Sequence, residues 1–345
     1  MRWLWYLALV CVIGTMPLRA EERDGEATAL FADDSILEVT LTGPIGRIAS
    51  RAQRSTEPHP ATLAIAGETH AIELSARGVS RRKRENCQFP PLRIRTAEKA
   101  PEGSIMHRQG SVKLVTHCRD TDKLEQTLLR EYTAYRLYNL VTPESLRVRL
   151  ARVTYLDGDK VVAERLAFFI EDADDASRRL GLKEVDLGNI RVAALDRNDA
   201  ARLALFQYMI GNTDWAMIFA AEGATCCHNT KLLGADKDAT GGLTPVPYDF
   251  DGAGLVDAEY ARPNAALGTV SVRTRVYRGF CAVNDLIPAE AEQLWRLLPA
   301  LEAEIGATPL ADAKTREEML DYLAGFFRDI ADDASLERKL LKACR

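Results

Sequence analysis

The 345-residue chain carries 45 Lys and Arg against 50 Asp and Glu, a formal charge of −5, and 47 % of it is hydrophobic. That length allows one large domain or two lobes. The mild acidity gives no footprint for a nucleic-acid partner, and Arg81-Arg82-Lys83-Arg84 is the one local basic run, of the kind that is ordinarily solvated surface.

The chain opens Met1-Arg2, then runs apolar from Trp3 to Gly14 and reaches Leu18-Arg19-Ala20. A short basic start, an apolar stretch too short to span a bilayer and a small residue at the cut predict a signal peptide over 1–20. The alternative is an uncleaved anchor. No later segment is apolar enough to span. Residues 21–33 read as a linker, and export makes the periplasm or the cell envelope the expected compartment. Six cysteines follow the cut: Cys87, Cys118, Cys226, Cys227, Cys281 and Cys344. An even count in an exported chain permits disulfides. Cys87 precedes one predicted strand and Cys118 ends another, so adjacent strands would pair them. Zinc at Cys226-Cys227-His228 is disfavoured, because adjacent residues rarely wrap one ion and no C-x-x-C pair accompanies them.

Residues 34–172 read as a strand-rich first lobe. Ile36–Thr42 alternates, and Thr62–Ile65 and His70–Leu74 flank a turn at Ala66-Gly67-Glu68. Pro91–Arg95, Val112–Val115, Leu146–Tyr155 and Val161–Ile170 follow. One helix interrupts them, from Asp122 to Leu140, with capping-box spacing at Asp122–Glu125. Residues 173–345 read as a helical second lobe, with helices from Asn198 to Gly211, from Pro288 to Ile305, from a cap at Thr315, and near Leu336–Lys342. The class is α+β.

On the Asp122 helix, Leu124, Leu128, Tyr135 and Tyr138 form one apolar stripe, and Glu131 falls on it. A carboxylate facing a core costs several kcal/mol unless it is paired. Lys113, on a nearby strand, is the candidate partner, and such a Lys–Glu pair is what kinases use to hold nucleotide phosphates. Otherwise Glu131 sits at the stripe edge and reaches water. Further on come Asn212-Thr213-Asp214, His228-Asn229 and Tyr248-Asp249-Phe250-Asp251. Oxygen ligands of this type suit Mg²⁺. In phosphoryl transfer one aspartate handles the acceptor hydroxyl, while an asparagine and a second aspartate hold the metal. Asp214, Asn229 and Asp249 fit those roles, although Asn and Asp are also ordinary turn residues.

These fragments resemble the spore-coat-protein-H (CotH) kinase family, an atypical protein-kinase-like group. The resemblance rests on Arg77-Gly78-Val79-Ser80, Pro90-Pro91-Leu92-Arg93-Ile94-Arg95, Leu129-Arg130-Glu131, Ile170-Glu171-Asp172, Asn212-Thr213-Asp214, His228-Asn229 and Pro247-Tyr248-Asp249-Phe250-Asp251, in the family's order over about residues 70–260. It implies a two-lobed kinase-like fold and transfer of phosphate from ATP, with Mg²⁺ or Mn²⁺, to a serine-type hydroxyl of a protein acceptor. Asp214 would be the catalytic-loop aspartate, with Asn229 and Asp249 or Asp251 on the metal. Glu171 and Asp172 would lie at the hinge near the adenine, and Arg77, Gly78 and Ser80 over the phosphates. Lys113 or Arg93 would anchor the phosphates. The chain departs from ordinary kinases in lacking G-x-G-x-x-G and in separating Asp214 widely from Asn229, so that loop must bulge or form a hairpin. The alternatives are a non-catalytic pseudokinase-like binding protein and a metal-assisted phosphodiesterase.

Overall fold

The computed structural model of the chain describes residues 25–221 and 223–345, so the expected signal peptide lies outside the described residues. Seven strands make a closed barrel: β1 (Leu37–Thr42), β2 (His59–Ile65), β3 (Glu68–Ala76), β4 (Leu92–Thr96), β5 (Ser111–Val115), β6 (Val148–Asp157) and β7 (Lys160–Ile170). Their order is β1-β2-β3-β4-β5-β7-β6, and β1 closes the ring by pairing parallel with β6, Leu37 opposite Ala151. A second sheet of three strands is built from β8 (Lys183–Glu184), β9 (Thr230–Gly234) and β10 (Thr244–Pro247). The helices are α1 (Ile45–Arg51), α2 (Asp122–Val141), α3 (Ala173–Arg179), α4 (Arg197–Met209), α5 (Ile287–Gly306), α6 (Ala313–Asp329) and α7 (Asp333–Lys339). The class is mixed α+β. Among the described residues no helix is long and apolar enough to cross a membrane.

Period-two alternation sorts the barrel's side chains. Leu74, Ile94, Val112, Leu114, Val153 and Phe169 fill its interior. Residues directly opposite on neighbouring strands share a face, so Ser75, Arg93, Lys113 and Ile170 stand in one row on the outside. A second core lies beyond that outer face. There α2 contributes Leu124, Leu128, Tyr135 and Tyr138, and Phe168 and Ile170 of β7 meet Leu203, Phe206 and Phe250. Thus α2, read within the strand-rich half, packs its stripe into the core of the helical half.

The long periodic elements fall where the sequence puts them, and their starts differ. The α2 cap is Thr121, whose side chain accepts from the Leu124 amide, not the Asp122 box. The α6 cap is Asp312, accepting from the Thr315 amide at 2.6 Å. In each case a side-chain oxygen satisfies an amide that the helix leaves open. Three short elements were not expected: α1, α3 and the three-stranded sheet inside the helical half. Disulfides join Cys87 to Cys118, as the strand positions predicted, with Cα atoms 4.7 Å apart, and also Cys226 to Cys227 and Cys281 to Cys344.

Candidate functional site

The end of α4 aims the first site residue. Gly211 has φ +66°, and a Cβ there would lie 1.9 Å from the Tyr322 hydroxyl oxygen, so only glycine makes this turn. The next residue, Asn212, is buried and accepts the Asp214 amide on Oδ1 at 2.9 Å. Trp215, also buried, donates its indole N–H to the Asn212 carbonyl, and Arg278 donates to the Thr213 and Trp215 carbonyls at 2.6 Å each. These bonds fix the loop's backbone and leave the Asp214 side chain exposed.

The chain then makes an excursion, as the wide spacing required. Backbone bonds from Ala216 to His228 and from His228 to Phe219 close it and return His228-Asn229 to Asp214. His228 Nε2 lies 2.7 Å from Asp214 Oδ1. Asn229 Nδ2 donates to the Asp214 carbonyl at 2.7 Å and to Oδ2 at 3.1 Å, leaving its own Oδ1 unbonded among the described residues. The His228 hydrogen bond holds the Asp214 carboxyl below its ordinary pKa, and Asp214 in turn raises His228.

Pairing of β9 with β10 sets Thr230 opposite Pro247, and Tyr248 donates its amide to the Asn229 carbonyl at 3.0 Å. Asp249 therefore emerges beside Asn229. Its amide donates to the Tyr135 hydroxyl at 2.8 Å, and Phe250 plugs the second core between Tyr135 and Phe206. No hydrogen bond or ion pair engages the Asp249 carboxylate among the described residues. Asn229 and Asp249 both have positive φ, 51° and 64°. Such strain persists only where the surroundings over-determine it, and it concentrates at functional positions.

The buried carboxylate Glu131 does have a partner, but Lys113 is not the residue that supplies it. Arg81 Nη2 lies 2.8 Å from Glu131 Oε2, and Arg81 Nε lies 3.1 Å from Asp251 Oδ2. The guanidinium also stands 5.7 Å from the Tyr260 ring centroid. Only 2 % of the Glu131 side chain and 8 % of Arg81 are exposed. Burial pushes the Glu131 carboxyl up and Arg81 pulls it back. Burial opposes the Arg81 charge, and Glu131, Tyr260, Asp251 and Asp249 together outweigh it, so Arg81 stays protonated. The basic run is therefore not uniformly solvated. Its first residue turns inward, while Lys83 and Arg84 remain exposed.

Lys113 instead stands over the Tyr248 ring, 5.2 Å from its centroid, and has no ion pair among the described residues. Burial, then the charge of Arg77, lowers its pKa to about 8. Burial also lowers Arg77, against the opposing charge of Asp249. Arg77, Gly78 and Arg93 line a cavity of about 340 Å³ beside Ser75. Ser80 lines a different one of about 420 Å³ with Asp214, Asp251 and Tyr260. The residues expected over the phosphates thus divide between two cavities.

The expected hinge residues are both engaged within the protein. Glu171 is fully buried, with Oε1 and Oε2 taken by Arg179 at 3.1 and 2.9 Å and Oε2 also accepting the Arg147 amide. It is not open to a ligand. Asp172 caps α3, accepting from the Asp174 amide.

Among the described residues no group of three or more His, Cys, Asp and Glu converges on one point where a metal ion could sit. What the fold sets side by side is a mixed set: Asn229, bonded to Asp214 and with its own amide oxygen free, and Asp249, two residues past the Pro247 that pairs with Thr230, with its carboxylate free. Hard oxygen donors of this kind fit Mg²⁺ or Mn²⁺, which keep several waters and need few protein ligands. No protein-family model matches the chain, and no curated protein matches it.

Proposed function

We propose that the chain is an exported, two-lobed, kinase-like phosphotransferase of the CotH type, moving a phosphoryl group from ATP to a hydroxyl acceptor. One observation carries the reading. Asn229 bonds to Asp214 and accepts the Tyr248 amide next to Asp249, and two cations without an ion pair among the described residues stand near: Arg77, whose charge Asp249 supports, and Lys113, over the Tyr248 ring. Carboxylates alone would repel a polyphosphate, and cations alone would merely bind one. The two together suit a phosphate chain at which a bond is exchanged.

In this reading Lys113, Arg77 and Arg93 hold the phosphates. Asn229 and Asp249 would hold the divalent cation, which when bound draws the phosphate charges together and favours departure of the diphosphate. The acceptor hydroxyl enters the cavity beside Asp214 and Ser80. Its oxygen bonds to the terminal phosphorus as the bond to the diphosphate oxygen breaks, and its proton passes to Asp214. That carboxylate is a weak base, which suits a loose transition state in which positioning matters more than proton abstraction. The disulfides and the expected leader favour an oxidising compartment outside the cytoplasm.

Pairing of Glu131 with Arg81 rather than Lys113 favours a second reading, a pseudokinase that binds nucleotide without turnover. Calorimetry with Mg²⁺-ATP and a phosphate-transfer assay separate the two. Asp249→Asn is expected to weaken metal-dependent nucleotide binding about 10-fold or more. Asp214→Asn is expected to keep binding and lose turnover. Binding without turnover in the wild type leaves the pseudokinase. Absence of metal-dependent nucleotide binding ends both.

A further inference from the structure

Arg81 stands in an unusual position for a guanidinium. Its Nε and Nη2 point from the same edge, the edge that ordinarily grips one carboxylate with two parallel bonds. Here that edge is split. Nη2 donates to Glu131 of α2 at 2.8 Å, and Nε lies 3.1 Å from Asp251 Oδ2, beyond β10, as an ion pair without a hydrogen bond. Two carboxylates from separate parts of the chain thus converge on one cation at the wall of the cavity that holds Asp214. The other Glu131 oxygen, Oε1, is buried with no hydrogen-bond partner.

A cation shared by two carboxylates and leaving one of their oxygens unspent is the arrangement a divalent ion makes when it bridges them. The guanidinium is tethered, however. The backbone on either side of it is held by Asn86 Nδ2 donating to the Ser80 carbonyl and by Arg82 donating to the Gly78 and Ala52 carbonyls at 2.5 and 3.1 Å. Asn229 and Asp249, by contrast, carry free oxygens and no tethered cation. The two carboxylates of the Asp249-Phe250-Asp251 segment are thereby given different work.

We propose that Arg81 is a built-in cation standing where a second divalent ion would otherwise bridge Glu131 and Asp251, so that the site takes one exchangeable ion, on Asn229 and Asp249. The single ion rests on the phosphotransferase reading. The exchange of guanidinium for metal rests only on the Arg81 geometry. Asp251 then acts through Arg81 and positions the loop without touching the exchangeable ion.

The test counts Mn²⁺ by paramagnetic resonance on the full, oxidised chain, with and without a non-hydrolysable ATP analogue. The wild type with the analogue is expected to bind one Mn²⁺. Arg81→Ala is expected to gain one further Mn²⁺, with or without nucleotide, and Arg81→Ala/Asp251→Asn to lose that gain. Arg81→Lys, which keeps a tethered cation, should count as the wild type. Two ions in the wild type, or no gain in a folded Arg81→Ala chain, overturn the proposal. If Arg81→Ala does not fold, the single variants decide. Asp249→Asn should weaken Mn²⁺ about 10-fold or more and Asp251→Asn less than about 3-fold, and equal losses overturn the assignment. A wild type that binds no Mn²⁺ with nucleotide, beside an Arg81→Ala chain that gains one, rejects the phosphotransferase reading and leaves the Arg81 exchange standing.

Discussion

At the scale of single residues, Lys113 gives the sharpest expectation. Its pKa of about 8 lies below the ordinary 10.5, because the fold buries its charge near other cations. Folding therefore disfavours the protonated form, and the cost is present in full below pH 8. It fades as pH rises from about 8 toward 10.5, where the unfolded chain also gives up the proton. Lys113→Met is expected to raise the unfolding free energy at pH 7 by about 2 kcal/mol, and to lose that advantage above pH ~10, as read by urea titration across pH. On the phosphotransferase reading, the same variant should also bind a phosphate ligand more weakly. Wild-type nucleotide binding near pH 8.5 should take up protons, seen as a buffer-dependent heat, and Lys113→Met should abolish the uptake. The sequence was half legible at this scale. A glutamate on an apolar stripe announced a buried partner. It could not name Arg81, which lies in a loop 50 positions upstream and inside a run whose composition reads as surface.

At the scale of elements, the junction between α4 and its following loop controls where Asp214 stands. Gly211 and Gly254 are joined by a backbone bond of 3.1 Å, and a Cβ on either would collide with Tyr322. Gly211→Ala is expected to lower stability by about 2–3 kcal/mol, from the positive φ and the overlap together, as measured by urea unfolding. Tyr322→Phe removes the hydroxyl oxygen that the new Cβ meets first and should rescue part of the loss, leaving the strain of the positive φ. Long elements were legible because their periodicity repeats over several turns or pleats. The short α1, α3 and β8 offer too few residues for a period to show. The small sheet is the instructive case. Thr230–Gly234 and Thr244–Pro247 are only five and four residues long, and their pairing is what carries Asn229 to Asp249.

At the scale of the molecule, the two cores meet along the outer face of β5 and β7, and the candidate site opens where that face ends. A ligand touching Lys113 on one side and Asp249 on the other would tie both cores together. Mg²⁺-ATP at about 100 times its dissociation constant should raise the unfolding free energy by roughly 2.7 kcal/mol, and Asp249→Asn should reduce that gain. The Cys281–Cys344 bridge closes a separation of 63 residues and fastens the last turn of the chain beside Gly279. Replacing both cysteines by serine is expected to cost about 3–4 kcal/mol in chemical denaturation. The class and the order of strands and helices were legible, because they follow from local patterns. Closure was not, since nothing local tells β1 to lie parallel to β6.

That closure has a consequence for how the protein behaves in company. An open sheet ends in two strands whose amides and carbonyls await a partner, and any other chain can supply one. Here each of the seven strands has two neighbours, so the barrel offers no such rim. The protection depends on six residues at the front of the sheet. A chain shortened past Gly43 would bare β2 and β6 together, two rims of seven and ten residues. It should form β-rich multimers that bind thioflavin, while the intact chain stays free of them at the same concentration.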